Sequence, residues 1–156
     1  MMVKRIVVAT LCFAFVCEFA WAGLGSDKTM YIGGTVNSIK ENTEGKATAK
    51  DEKNFVFEYS GGKLVVPYEQ VDSLEYGQKT GRRIGVAIMI SPLALFSKKR
   101  RHFLTLGYKD AADKQQAAVF ELGKDVIRTM LATLEARTGR KVEYQDDEAR
   151  KSGRGN

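Results

Sequence analysis

Residues 55–76 read FVFEYSGGKLVVPYEQVDSLEY. Phe55, Phe57 and Tyr59 alternate with Val56 and Glu58, the period-2 pattern of a strand with one buried face. Ser60-Gly61-Gly62-Lys63 then predicts a hairpin turn, because glycine tolerates the positive φ of tight hairpin turns. Leu64–Val66 is the returning strand. Pro67 ends it, since proline has no N–H to give to a ladder. Val71–Tyr76 predicts a further strand, with Val71, Ser73 and Glu75 on one side and Asp72, Leu74 and Tyr76 on the other. An antiparallel β framework follows from this stretch.

The flanking sequence extends it. Upstream, Met30–Ile39 alternates weakly, with Gly33-Gly34 as a bulge or bend. Asn42-Thr43-Glu44-Gly45 is a turn cluster. Ala47–Tyr59 leads into the strand already described. Downstream, His102–Tyr108 alternates again, placing Leu104, Leu106 and Tyr108 opposite Phe103, Thr105 and Gly107. Lys109–Lys114 is a polar turn, and Gln116–Leu122 pairs back as a second hairpin. Lys124–Thr138 is the one strong helix, its apolar stripe made of Val126, Ile127, Met130, Leu131 and Leu134. Asp125 near its start and Arg137 near its end suit the helix dipole, and Gly139 suits the position after it. Val142–Tyr144 adds a short extended piece. Gln145–Asn156 is charged, with few apolar side chains, and reads as a disordered tail. One amphipathic helix must bury its stripe on a sheet. The expected fold is therefore α+β: a bent antiparallel sheet or open barrel of about seven strands, capped by one C-terminal helix.

The chain has 156 residues, the size of one domain. Its first 22 residues are read as an export signal. Lys4 and Arg5 precede an apolar run, Ile6–Phe19, and Ala20-Trp21-Ala22 is a small-x-small cleavage site, leaving Gly23 first. Retention as an anchor helix is the competing reading; Glu18 and the cleavage site weigh against it. Cys12 and Cys17 both lie in this leader. Leu11 and Val16 precede them where a lipoprotein signal would need a small residue. The exported domain, residues 23–144 plus the tail, thus has no disulfide, thiol nucleophile or thiolate metal site. The formal charge of +6 on the whole chain falls to +5 once the leader's two bases and one acid are removed. That excess fits a solvated basic surface with attraction to anionic membranes, and nucleic acid is not an expected partner.

Three segments carry a family resemblance. Leu64–Tyr76 is similar to the strand–Pro-Tyr–strand turn of bacterial pleckstrin-homology-like domains. His102-Phe-Leu-Thr-Leu106, after a basic cluster, and Leu134-Glu-Ala-Arg-Thr-Gly139 resemble small secreted bacterial proteins of the same kind, over about residues 30–142. The resemblance implies a bent seven-stranded sheet capped by the helix, and no catalysis. Eukaryotic relatives hold phosphoinositides with a basic loop between their first strands. Here that loop has only Lys40 and Lys46, beside Glu41 and Glu44, so this property does not carry over.

A specific function can be argued only at Gly81–His102, GRRIGVAIMISPLALFSKKRRH. The uncharged run Ile84–Phe96 lies between Arg82-Arg83 and Lys98-Lys99-Arg100-Arg101. As a helix it would reach roughly 20 Å, short of the ~30 Å hydrocarbon core, and Pro92 would disturb it. A membrane crossing is therefore not expected. Burial as a connection within the fold is the default. The alternatives are a loop dipping into a membrane leaflet and a protein-binding patch. In these, Ile88, Ile90, Leu93, Leu95 and Phe96 supply apolar contact, while Arg82, Arg83, Lys98, Lys99, Arg100 and Arg101 meet anionic groups.

Catalytic signals are sparse. His102 is the sole histidine. It reads as a strand-start residue whose pKa neighbouring positive charge lowers. There is no G-x-S-x-G elbow and no P-loop, and Asp146-Asp147-Glu148 lacks the ligand spacing of a calcium loop. The aromatic residues are read as core. Glu58, Glu69, Asp72 and Glu75 could form an acid–base pair, which leaves a carboxylate-dependent hydrolase as the alternative. The expectation is an exported, non-enzymatic binding or scaffold domain of the cell envelope, with no cofactor or metal. It would touch a membrane surface or a protein partner through residues 82–101.

Overall fold

The computed structural model describes residues 28–78, 89–90 and 101–155. Among these, nine strands form one open sheet: β1 (Thr29–Gly34), β2 (Thr43–Thr48), β3 (Asn54–Tyr59), β4 (Gly62–Pro67), β5 (Val71–Gly77), β6 (Met89–Ile90), β7 (His102–Lys109), β8 (Gln115–Leu122) and β9 (Val142–Tyr144). The spatial order is β4-β3-β2-β1-β8-β7-β5-β9. β6 pairs with β1 at Gly33 and Gly34, beyond the end of β2. Two described helices follow the meander, α1 (Ile127–Thr138) and α2 (Asp147–Arg154). The α+β class and the helix at the C-terminal end agree with the sequence.

The hairpin of residues 55–66 forms as expected. Tyr59 pairs with Gly62 across Ser60-Gly61. Pro67 is the last residue of β4, and a 3-10 turn, Tyr68–Gln70, carries the chain into β5. The register shift between Tyr31 and Gly33 places the expected bulge in β1.

Two strands depart from the sequence pattern. In β5 the register shifts between Val71 and Ser73, so Val71 and Leu74 both reach the core. Strict alternation had put them on opposite sides, and one extra bulge residue reverses that parity. Thr43–Gly45, expected as a turn, opens β2 instead; Asn42, at φ 60°, ends the turn. β2 has weak intrinsic strand preference, but pairing with both β1 and β3 imposes it.

The core lies on one face of the sheet. Phe120 is its hub, with ring centroids 5.1 Å from Phe57, 5.3 Å from Phe55 and 5.8 Å from Tyr31. Ile127, Met130, Leu131 and Leu134 of α1 close this face, with Val126 half-buried beside them. The stripe is as expected, although the helix begins at Ile127 rather than Lys124. At its end Gly139 takes φ 67° and donates its N–H to the Glu135 carbonyl at 3.1 Å. A smaller apolar cluster, Ile32, Phe103 and Val119, is buried on the opposite face of the same strands.

The expected disordered tail is corrected over residues 145–155. β9 runs parallel to β5, and Gln145 donates its N–H to the Tyr76 carbonyl at 3.1 Å. Asp146 caps α2 by accepting the Ala149 N–H at 2.7 Å. Asp147 and Glu148 stand in the first turn, Lys151 and Arg154 in the last, the arrangement the helix dipole favours. Ala149 and Gly153, four residues apart, form the buried side. Low hydrophobicity concealed the helix because its docking face is built from small residues.

Candidate functional site

Of the residues expected to make membrane or partner contact, Arg82, Arg83, Ile88, Leu93, Leu95, Phe96, Lys98, Lys99 and Arg100 lie outside the described residues. Ile90 is placed through its backbone, opposite Gly33. Arg101 is fully placed: its guanidinium donates to Glu121 Oε2 at 2.8 Å, joining the entry of β7 to the end of β8. Both side chains remain partly exposed.

One residue further on, the strand alternation turns His102 to the side of the sheet carrying the helices. Tyr76 of β5 and Ser152 of α2 meet it there. Tyr76 Oη lies 2.6 Å from His102 Nδ1 and 3.3 Å from Ser152 Oγ, and the Tyr76 and His102 rings are nearly parallel, at 10°. Tyr76 has one hydroxyl hydrogen for these two contacts. The chain of bonds therefore runs in one of two directions. If His102 Nδ1–H donates to Tyr76, Tyr76 donates to Ser152; in the reverse direction Ser152 donates to Tyr76 and Tyr76 to Nδ1. Either way Nδ1 is engaged, and Nε2 is the ring nitrogen left for a ligand.

A cleft of about 320 Å³ opens beside this group, lined by His102, Lys124, Asp125, Ile127, Arg128 and Ser152. Lys124 and Arg128 are exposed. Among the described residues neither Lys124 nor Asp125 has an ion pair. Arg128 Nε reaches the Ser152 carbonyl at 3.5 Å, and among the described residues the guanidinium has no ion pair. Burial holds the His102 pKa below the usual histidine value, and the Lys124 charge adds to that while Glu121 opposes it. Burial and the Lys124 charge both favour the neutral imidazole. The sequence expectation of a lowered pKa holds in direction, but its first cause is burial. Burial likewise raises the Tyr76 hydroxyl above the usual tyrosine value, and the Ser152 hydrogen bond works against that rise.

A second groove, of about 430 Å³, separates β2 from α1 and is lined by Ala47, Ala49, Val126 and Met130, with Lys50 and Arg137 at its rim. The four candidate carboxylates do not come together. Glu58 and Glu69 are exposed on β3 and the 3-10 turn. Asp72 accepts from the Ser73 hydroxyl at 3.0 Å, and buried Glu75 accepts from the Gln145 amide at 3.3 Å. Among the described residues no group of three or more His, Cys, Asp and Glu side chains could hold a metal ion, and no helix is long and apolar enough to cross a membrane.

Sequence reasoning read His102 as an ordinary strand-start residue and missed the group around it. Tyr76, Lys124, Arg128 and Ser152 come from separate places in the chain, and Ser152 stood in the segment read as a tail. No local pattern links them. The chain matches no family model and no curated protein.

Proposed function

We propose that this chain is an exported, non-enzymatic binding domain of the cell envelope, pleckstrin-homology-like in fold, that docks on anionic membrane surfaces through residues 82–101 and the sheet end they lead into. One observation carries the reading. Arg101 leads into β7 at the end of the sheet where Lys124 and Arg128 line the His102 cleft, and in the sequence Lys98, Lys99 and Arg100 come immediately before it. Positive charge gathered on one end of a small domain orients it toward an anionic surface. Strands β1–β5, β7 and β8 with α1 across one face support the family resemblance.

Co-sedimentation with vesicles tests the reading. The exported protein is expected to bind phosphatidylglycerol vesicles at low salt and to leave them at high salt, while ignoring phosphatidylcholine vesicles. Each cation near such a surface contributes about 1 kcal/mol. Replacing Lys98, Lys99 and Arg100 together by Gln should weaken binding by about two orders of magnitude. Equal binding by the triple variant, or no binding to the anionic vesicles at all, would overturn the proposal.

A further inference from the structure

We infer that the cleft between the start of β7, the approach to α1 and α2 binds a dianionic phosphoryl group, held by Lys124, Arg128 and Nε2 of His102. The inference rests on the surface-binding reading and names the chemistry recognised at its centre.

Charge and geometry carry it. Three groups able to bear positive charge line one cleft against a single carboxylate, Asp125. With His102 neutral the lining carries a net +1, and with His102 protonated +2, which matches a dianion. The donors are complementary. Arg128 offers a planar fork, Lys124 a compact point charge, and both kinds suit phosphate oxygens. His102 is oriented for this contact, since with Nδ1 fixed on Tyr76 only Nε2 can turn to a ligand, and the imidazolium form donates from it. Gly155, at φ 79°, passes the Arg128 side chain. A Cβ there would stand 3.2 Å from the guanidinium carbon, so the glycine keeps that space open. The volume, about 320 Å³, exceeds that of bare phosphate and leaves room for a small organic remainder. A phosphate monoester fits this description, whether free or as the headgroup of a lipid such as phosphatidic acid.

The sole histidine supplies the readout, since its imidazole protons give one isolated set of NMR signals. The charged or titratable groups facing it are Tyr76 on β5, Glu121 on β8, and Lys124, Asp125 and Arg128 before and within α1; Ser152 on α2 is its neutral neighbour. In the exported protein, the His102 titration is followed in phosphate and in chloride at equal ionic strength. A bound dianion favours the imidazolium, so the midpoint should rise in phosphate by about one pH unit. The double variant Lys124→Gln, Arg128→Gln changes exposed side chains and leaves the core intact; it should abolish the rise. Identical titrations in the two salts overturn the inference, as does a rise that persists in the double variant, which would mark an adventitious ion only. A parallel arm separates the sources. Tighter binding to phosphatidic acid than to phosphatidylglycerol vesicles, competed by inorganic phosphate, assigns the cleft to a lipid headgroup. A solution effect without that preference assigns it to a free phosphate compound. Vesicle binding without a phosphate effect overturns the cleft and leaves the surface reading standing; a phosphate effect without vesicle binding overturns the surface reading alone.

Discussion

Gly34 shows how a single residue sets the path of the sheet. It sits at φ 152°, where side chains are rarely tolerated, and a Cβ would lie 2.1 Å from the Ala117 carbonyl oxygen. That oxygen also accepts the Thr35 N–H at 2.9 Å, so it cannot retreat without breaking the join between β1 and β8. Gly34→Ala should therefore cost about 2–4 kcal/mol, read as a fall in the denaturant midpoint with little change in slope. An unchanged midpoint would show that β1 does not need this approach. The Gly33-Gly34 pair was legible as a bend. Its reason was not, because Ala117 is distant in sequence. His102 is similar: its lowered pKa was readable in direction, but its burial against Tyr76 and Ser152 was not.

At the scale of elements, α1 and α2 make a pair of opposites. The α1 stripe of large apolar residues was visible because amphipathic periodicity is a local property. α2 buries Ala149 and Gly153, which contribute almost nothing to a hydropathy pattern. Its fit depends on close approach: a Cβ at Gly153 would stand 2.6 Å from Tyr144, 3.1 Å from Leu131 and 3.2 Å from Tyr76. Arg154 then reaches Glu135 at 3.7 Å and lies over the Tyr144 ring at 5.4 Å. Gly153→Leu should lift α2 from the sheet at a cost of about 1–3 kcal/mol. Hydrogen exchange should speed up over residues 145–155 while β7 and β8 keep their protection. Unaltered exchange there would mean that α2 does not dock through this glycine. Ser152 travels with the helix, so the His102 signal should shift in the same variant.

At the scale of the molecule, the sheet buries tyrosines from distant strands on one core. Burial raises Tyr31 and Tyr108 to about 12, and Tyr68 and Tyr76 also lie above the ordinary value. These groups favour the protonated form when folded. The stability they confer is complete below pH 10 and is lost as pH climbs from 10 towards 12. Tyr31 and Tyr108 should each withdraw on the order of 2–3 kcal/mol over that window. Alkaline titration followed by tyrosinate absorbance and circular dichroism together should show the buried tyrosines ionising in one step with unfolding. Ionisation of all the tyrosines near pH 10 with the fold intact would refute their burial.

Whatever is periodic and local could be read directly from the chain. The hairpin at residues 55–66, the β7–β8 hairpin, the α1 stripe, the α+β class and the Gly139 cap all follow from alternation, turn chemistry and helical spacing within short windows. Tertiary structure alone decided the rest. Pairing of β1 with β8 joins segments some eighty residues apart through Thr35, whose hydroxyl donates to Gln116. The bulge in β5, the recruitment of β2 and the docking of α2 depend on partners already in place. So does the cleft, because the charges that define it share a location only after the sheet has closed over its core. Its residues are individually ordinary polar side chains, and only their convergence beside one half-buried imidazole gives them chemistry.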